Sequence, residues 1–203
     1  MIPDAINTAA RRIPAWAVYT LLFLPSVWMV YAAATGGLGV EPISALEHEL
    51  GEFALKLLIA GLCITPLHRR LGINLLKFRR AVGLMAFYYV ALHLLVWLVL
   101  DVQILSQIWA DILKRPYITV GMAGFMMLIP LALTSNGFSV RRLGARWRTL
   151  HKLTYIACVL GALHFVMLVK GIQLEPLIYM GIVLGLLMLR IKRKKRGRSV
   201  ASA

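Results

Sequence analysis

Acidic residues are the scarcest charged class in this 203-residue chain: 8 Asp and Glu stand against 23 Lys and Arg. Charged residues of both signs together reach only 15%, against about 25% in soluble domains. A water-soluble globule of this size needs more polar surface than that. Cysteine is nearly absent as well. Cys63 and Cys158 lie far apart in apolar runs, which excludes a disulfide scaffold and a cysteine zinc site. There is no strand pattern, no Gly-x-Gly-x-x-Gly between a strand and a helix, and no P-loop. Gly36-Gly37-Leu38-Gly39 reads as a loop and not as a nucleotide cradle. What the chain has instead is apolar sequence. It is 60% hydrophobic, against roughly 45–50% in soluble domains, which also excludes disorder. The class is an all-α integral membrane protein, one bundle with no room for a second folded domain.

A spanning helix needs about 20 mostly apolar residues. Six segments qualify, at 15–34, 53–67, 81–100, 117–133, 150–169 and 174–189, the second and sixth being short. Pro14, Pro42, Pro66, Pro116 and Pro176 mark boundaries. Pro25 and Pro130 fall inside or near the ends of spans, where a kink is tolerable if neighbours supply hydrogen bonds. Lys and Arg between the spans number 2, 0, 5, 2, 4, 1 and 7 from N-terminal arm to tail. By the positive-inside rule, both termini and the second and fourth loops are cytoplasmic. Arg11, Arg12 and the Ala32-Ala33-Ala34 run could imitate a cleaved signal. The apolar run is long for that, and removing it would invert the topology. The expected organisation is therefore a cytoplasmic arm at 1–14, a six-transmembrane-helix bundle at 15–190 and a solvated basic tail at 191–203. No internal repeat is visible.

The net charge of +15 could suggest a nucleic-acid partner. Its distribution assigns it to membrane orientation and to anionic lipid headgroups, with no nucleic acid implied.

Ionisable residues at membrane depth are costly and read as functional. Two histidines qualify. His93 lies twelve residues into the third span and His164 fourteen residues into the fifth, about 18 and 21 Å from the cytoplasmic side. Both fall in the outer half of a hydrocarbon core of about 30 Å. Histidines at one level on two helices fit axial ligation of a haem iron between them. No Cys-x-x-Cys-His sequence is present, so the haem would be b-type. His151 opens the fifth span on the cytoplasmic side, about 20 Å from His164 along the axis and turned about 140° from it. It is the candidate ligand of a second haem. Its partner is missing, since Arg79 stands fourteen residues before His93. His68 could substitute, or be a basic loop residue. His48, before the second span, sits among Glu41, Glu47, Glu49 and Glu52 and reads as part of a solvated acidic loop. Lys56 can snorkel to the outer interface. Two other readings remain: a small transporter or proton relay using the buried histidines, which lacks an acidic partner at depth, and a scaffold with no cofactor.

The chain resembles the MsrQ (formerly YedZ) family, within the ferric-reductase-like transmembrane group. The matching stretches begin with Gly36-Gly37-Leu38-Gly39, Pro42, His48, Gly51 and Ala54-Leu55-Lys56. Thr65-Pro66-Leu67, Arg79-Arg80, Gly83-Leu84, Phe87 and Leu92-His93 follow. Next come Arg115-Pro116-Tyr117, Leu133-Thr134-Ser135, Leu143-Gly144 and Trp147. Leu150-His151, Tyr155, His164 and Pro176-Leu177-Ile178-Tyr179 complete the series. The resemblance implies His93 and His164 as haem ligands and His151 as the third family histidine, leaving His68 outside the pattern. It further implies a bacterial inner-membrane subunit that takes electrons from the quinone pool or a flavin reductase. FMN is implied as a cofactor by the resemblance alone. The implied acceptor is a soluble periplasmic molybdopterin enzyme that reduces oxidised methionines. Acidic residues of the first and third loops would suit a basic patch on that partner.

Overall fold

The computed structural model describes residues 2–169 and 171–190. The expected basic tail at 191–203 lies outside the described residues. Within them the chain is helical, with no strand. Five helices are long and apolar enough to cross a membrane, and a sixth apolar helix, Leu174–Met188, is shorter. The chain is a multi-pass membrane protein. At 15 residues the last helix covers about 22 Å, less than the hydrocarbon core, so the sixth span is weaker than the pattern of apolar residues suggested.

In chain order the helices are α1 (Ile2–Arg12), α2 (Ala15–Ala34), α3 (Pro42–Leu71), α4 (Arg79–Val96), α5 (Leu105–Lys114), α6 (Pro116–Leu133), α7 (Gly137–Leu143), α8 (Ala145–Leu150), α9 (Leu153–Leu168) and α10 (Leu174–Met188). The most extensive helix pairings are α3 with α4 and α6 with α9. Contacts of α4 with α6 and of α3 with α9 join the two pairs into a four-helix core. Helix α10 packs on α9 and α3, and α2 on α4 and α3. Leu50, Leu62, Tyr89, Cys158 and Val183 are fully buried at the centre. Trp16, Leu21, Leu24 and Trp28 of α2 are exposed, as suits a lipid-facing helix.

One boundary corrects the sequence-based expectation. Helix α3 begins at Pro42, not near residue 53, and runs 30 residues, about 45 Å. Glu47, His48, Glu49 and Glu52 are therefore helical and not loop residues. Their polarity masked a helix whose Pro sits at its first turn, where a missing N–H costs nothing. The end of α4 continues as a π-helical turn, Trp97–Val102, closed by Gln103 in the left-handed region at φ 59°. The N-terminal arm holds helix α1. Asn7 of α1 donates to Gly72 O at 2.9 Å and accepts from Asn74 N at 2.7 Å, which docks α1 on the α3–α4 connection. Arg190, the last residue of the expected bundle, turns inward and donates to Leu62 O and Tyr155 Oη.

Pro25 interrupts the hydrogen-bond ladder of α2. The carbonyl that loses its N–H partner is Leu21 O, and the next two carbonyls take side-chain donors. Tyr89 Oη of α4 donates to Leu22 O at 2.8 Å, and Ser26 Oγ donates to Phe23 O at 2.7 Å. In lipid no water can do this. Tyr89→Phe keeps the ring and removes the donor. It should cost roughly 1 kcal/mol and lower the Tm of detergent-solubilised protein by about 2–4 °C. An unchanged melting curve would mean that the bond carries no stability.

Candidate functional site

Among the described residues, one cavity of about 460 Å³ lies between α3, α4, α6 and α9. Its size falls in the range of cofactor sites, about 300–1,000 Å³. The deep part is apolar, with Leu55, Leu58, Phe125, Leu128 and Phe165 on its walls. Small residues recur where helices face it: Gly51 and Ala54 on α3, Gly121 and Gly124 on α6, Ala157 and Gly161 on α9. Small side chains create the width. At the other end the lining turns polar, with Glu47, His48, Glu52, Asp101, Arg115 and Glu175. This is the end of the bundle that carries few basic loop residues.

His93 and His164 both line the cavity. Their ring centroids are 6.2 Å apart and their planes are 80° to one another. Each is anchored in the same way. His93 Nδ1 lies 2.8 Å from Glu47 O on α3, and His164 Nδ1 lies 2.7 Å from Tyr117 O on α6. A carbonyl oxygen can only accept. Nδ1 must therefore carry the proton in both rings, and Nε2 keeps its lone pair. Neither Nε2 has a hydrogen-bond partner among the described residues. Such a backbone-anchored imidazole is the usual state of a metal-ligating histidine, and the bond raises the basicity of the free nitrogen.

Metal–imidazole bonds of about 2.0–2.1 Å on opposite sides of one ion put the two ring centroids roughly 6 Å apart. The observed spacing suits a single ion between the rings. No group of three or more His, Cys, Asp or Glu side chains able to hold a metal gathers among the described residues. Two imidazoles alone are too few for a bare ion.

The remaining candidates lie elsewhere. His151 is outside this cavity, at the joint between α8 and α9. Its ring stacks on Trp147 at 3.9 Å and 28°. Thr134 Oγ1 spends its single hydrogen on Pro130 O at 2.6 Å, so His151 Nε2 is the donor in the 3.1 Å contact with Thr134 Oγ1. Trp147 Nε1 donates to Thr134 O. His68 is exposed near the end of α3. Lys56 pairs with Glu52 at 2.6 Å, and Tyr179 Oη of α10 donates to the same carboxylate at 2.9 Å.

Sequence reasoning gave Gly51, quoted only for the resemblance, no part in the site, and it missed Gly121. Added Cβ atoms there would come within 3.0 and 2.8 Å of the Nδ1 atoms of His93 and His164. Their signal was faint: a glycine four residues after an unremarkable position, on a helix that does not carry the histidine.

Comparison with known proteins places these features in a family. The family model described as "Ferric reductase like transmembrane component" matches residues 49–162. A protein of Agrobacterium fabrum named protein-methionine-sulfoxide reductase heme-binding subunit MsrQ is 52% identical over 194 residues, covering 91% of this chain and 90% of its own. Proteins of the same name from Brucella anthropi and Brucella ovis are 48% and 50% identical over 179 residues. Each alignment covers 88% of this chain and 81% of the relative. No solved structure matches the chain.

Proposed function

The chain belongs to the ferric-reductase-like transmembrane family, among its MsrQ haem-binding subunits, and we propose on that premise that it holds one b-type haem between His93 and His164. The observation that carries the reading is the imidazole pair itself, 6.2 Å apart, each with Nδ1 committed to a carbonyl. Two protein ligands would suffice only if a prosthetic group supplied the rest of the metal's coordination. A bound haem supplies one-electron redox chemistry.

The chain's own residues bind, orient and exclude. His93 and His164 would hold the haem iron through Nε2. Glu47 O and Tyr117 O hold the rings in the required tautomer. The small residues on three helices leave width for a planar group, and Leu58, Phe125 and Leu128 keep its surroundings dry. His151 is the residue on which a second haem would rest. Its Nε2–H is engaged by Thr134 and its ring lies on Trp147, so this reading counts one haem.

In this reading six helices span the bacterial inner membrane with both termini in the cytoplasm, as the distribution of Lys and Arg supports. The segment 15–190 is the haem-binding domain, flanked by the arm and the basic tail. The acidic, cavity-opening end then faces the periplasm. There the subunit delivers electrons, drawn from the quinone pool or a flavin reductase, to a molybdopterin enzyme that repairs oxidised methionines. FMN rests on the family resemblance and has no residue assigned here.

A reduced-minus-oxidised visible spectrum of protein purified with adequate haem supply should show a b-type band. The band should collapse in both His93→Ala and His164→Ala. A colourless wild type, or a band indifferent to both substitutions, would sink the ligand assignment.

Orientation has its own test. Val40 is fully exposed at the acidic end and Phe138 is exposed at the basic end. With Cys63 and Cys158 replaced by Ala, a membrane-impermeant maleimide should label Val40→Cys in spheroplasts and Phe138→Cys only after permeabilisation. The reverse pattern would invert the topology.

A further inference from the structure

A side chain from one helix can hydrogen-bond a carbonyl inside another only if the approach is open. The carbonyl of residue i already accepts the N–H of residue i+4, and its second lone pair is free. The Cα–Cβ bond of residue i+4 tilts back toward the helix N-terminus, over the space in front of that carbonyl. A side chain at i+4 can therefore stand in the way of a donor that arrives from that side, although Tyr89 reaches Leu22 O past Ser26. Glycine there removes the obstacle.

Both histidines use this opening. Glu47 O receives His93 Nδ1, and the residue four further on is Gly51. Tyr117 O receives His164 Nδ1, and the residue four further on is Gly121. A Cβ on Gly51 would stand 3.0 Å from Nδ1 and 3.2 Å from Cε1 of His93; one on Gly121 would stand 2.8 Å and 3.0 Å from the same atoms of His164. The atom met is part of a ring held by a hydrogen bond, not the end of a flexible chain, so it cannot step aside cheaply. Other helical glycines behave differently. Gly83 on α4 has nothing within 4 Å of such a Cβ, and Gly61 on α3 meets only Val82 Cγ1 at 3.8 Å. The contact also occurs twice at nearly one sequence separation, 46 residues in the first case and 47 in the second. The pairs α3/α4 and α6/α9 are two copies of one device, which recurs in contacts although no repeat is visible in the sequence.

We propose that Gly51 and Gly121 are positioning residues for the imidazole pair. Each admits its histidine ring to the carbonyl four residues before it, and so keeps the proton on Nδ1 and leaves Nε2 as the electron-donating nitrogen. The proposal rests on the bis-histidine haem reading and deepens it. Losing the carbonyl bond makes Nε2 a weaker donor, which destabilises the oxidised metal and raises its reduction potential.

The test compares Gly51→Ala and Gly121→Ala with wild type and with Gly83→Ala, which adds the same methyl where there is open space. Haem per protein, the reduced α-band, the ferric EPR signal and the midpoint potential are read on detergent-purified holoprotein. Gel filtration and far-UV circular dichroism monitor the fold. The expected result is that both variants stay helical and monodisperse. Each then either loses haem several-fold or keeps it with a shifted band, altered EPR signal and higher potential. Gly121→Ala, with the closer approach, should be the more severe, and Gly83→Ala should match wild type. Two results overturn the proposal: variants with wild-type band, EPR signal and potential, or variants that lose colour only together with helicity and monodispersity. A wild type that binds no haem overturns the haem reading and this proposal together. A coloured wild type with unaltered variants overturns the glycine assignment alone.

Discussion

The imidazole N–H of His93 on the Glu47 carbonyl, and its twin from His164 to the Tyr117 carbonyl, constrain how closely four helices must approach. A bond of 2.7–2.8 Å from one helix to the backbone of another requires the two axes to come near, and so requires small residues at the crossing. The helix pairs bridged by these bonds, α3 with α4 and α6 with α9, are the two most extensive pairings in the molecule. The bonds also resolve a cost. A neutral imidazole brought into an apolar interior needs a partner for its N–H, and a helix carbonyl with a spare lone pair provides one without bringing in a second side chain. What remains unsatisfied is one nitrogen on each ring, and those nitrogens belong to rings only 6.2 Å apart.

The rest of the molecule grades away from this pair in polarity. On one side the cavity wall is Leu58, Phe125 and Leu128; on the other it carries Glu47, Glu52, Asp101 and Glu175. The length of α3 makes the gradient possible. A helix of about 45 Å can keep an apolar body in the bilayer while its first turns carry carboxylates toward one face. Glu52 is held between Lys56 and Tyr179, so that charge is compensated where α3 meets α10. At the far end Arg190 is spent inside the bundle on Leu62 O and Tyr155, where it ties α10 to α3 and α9.

Much of this was legible from residues alone, for identifiable reasons. Hydropathy marks α2, α4, α6 and α9 because their lipid-facing and core-facing sides are both apolar. His93 and His164 stand out because nothing else ionisable interrupts their apolar runs of sequence; the expectation that no acidic residue accompanies them does not hold, since Glu47, Glu52, Asp101 and Glu175 line the same cavity. Helix α3 was read short because Glu47, Glu49 and Glu52 look like a loop when only composition is weighed; a helix end that lines a cavity does not obey the hydropathy rule. Helices α1 and α5 were not anticipated because amphipathic segments of 10 or 11 residues fall below any spanning threshold. The roles of Gly51 and Gly121 were invisible for a deeper reason. Their meaning is a clash that would exist if they were anything else, and the other party to the clash lies more than 40 positions away in the chain.

The same two hydrogen bonds bear on the choice between electron transfer and proton transfer. An imidazole relays a proton by accepting on one nitrogen and releasing from the other. Here the release side of each ring faces a peptide carbonyl, which accepts a hydrogen bond but is far too weak a base to take the proton on. A ring so held would have to break its bond, flip and re-form it in every cycle, against packing close enough that one added methyl at Gly121 would stand 2.8 Å from the ring nitrogen. Metal ligation asks the opposite of the same ring: one tautomer, one orientation and a basic Nε2, held without motion. The geometry therefore favours ligands over shuttles, and it does so through the backbone of α3 and α6, independently of the likeness to other proteins.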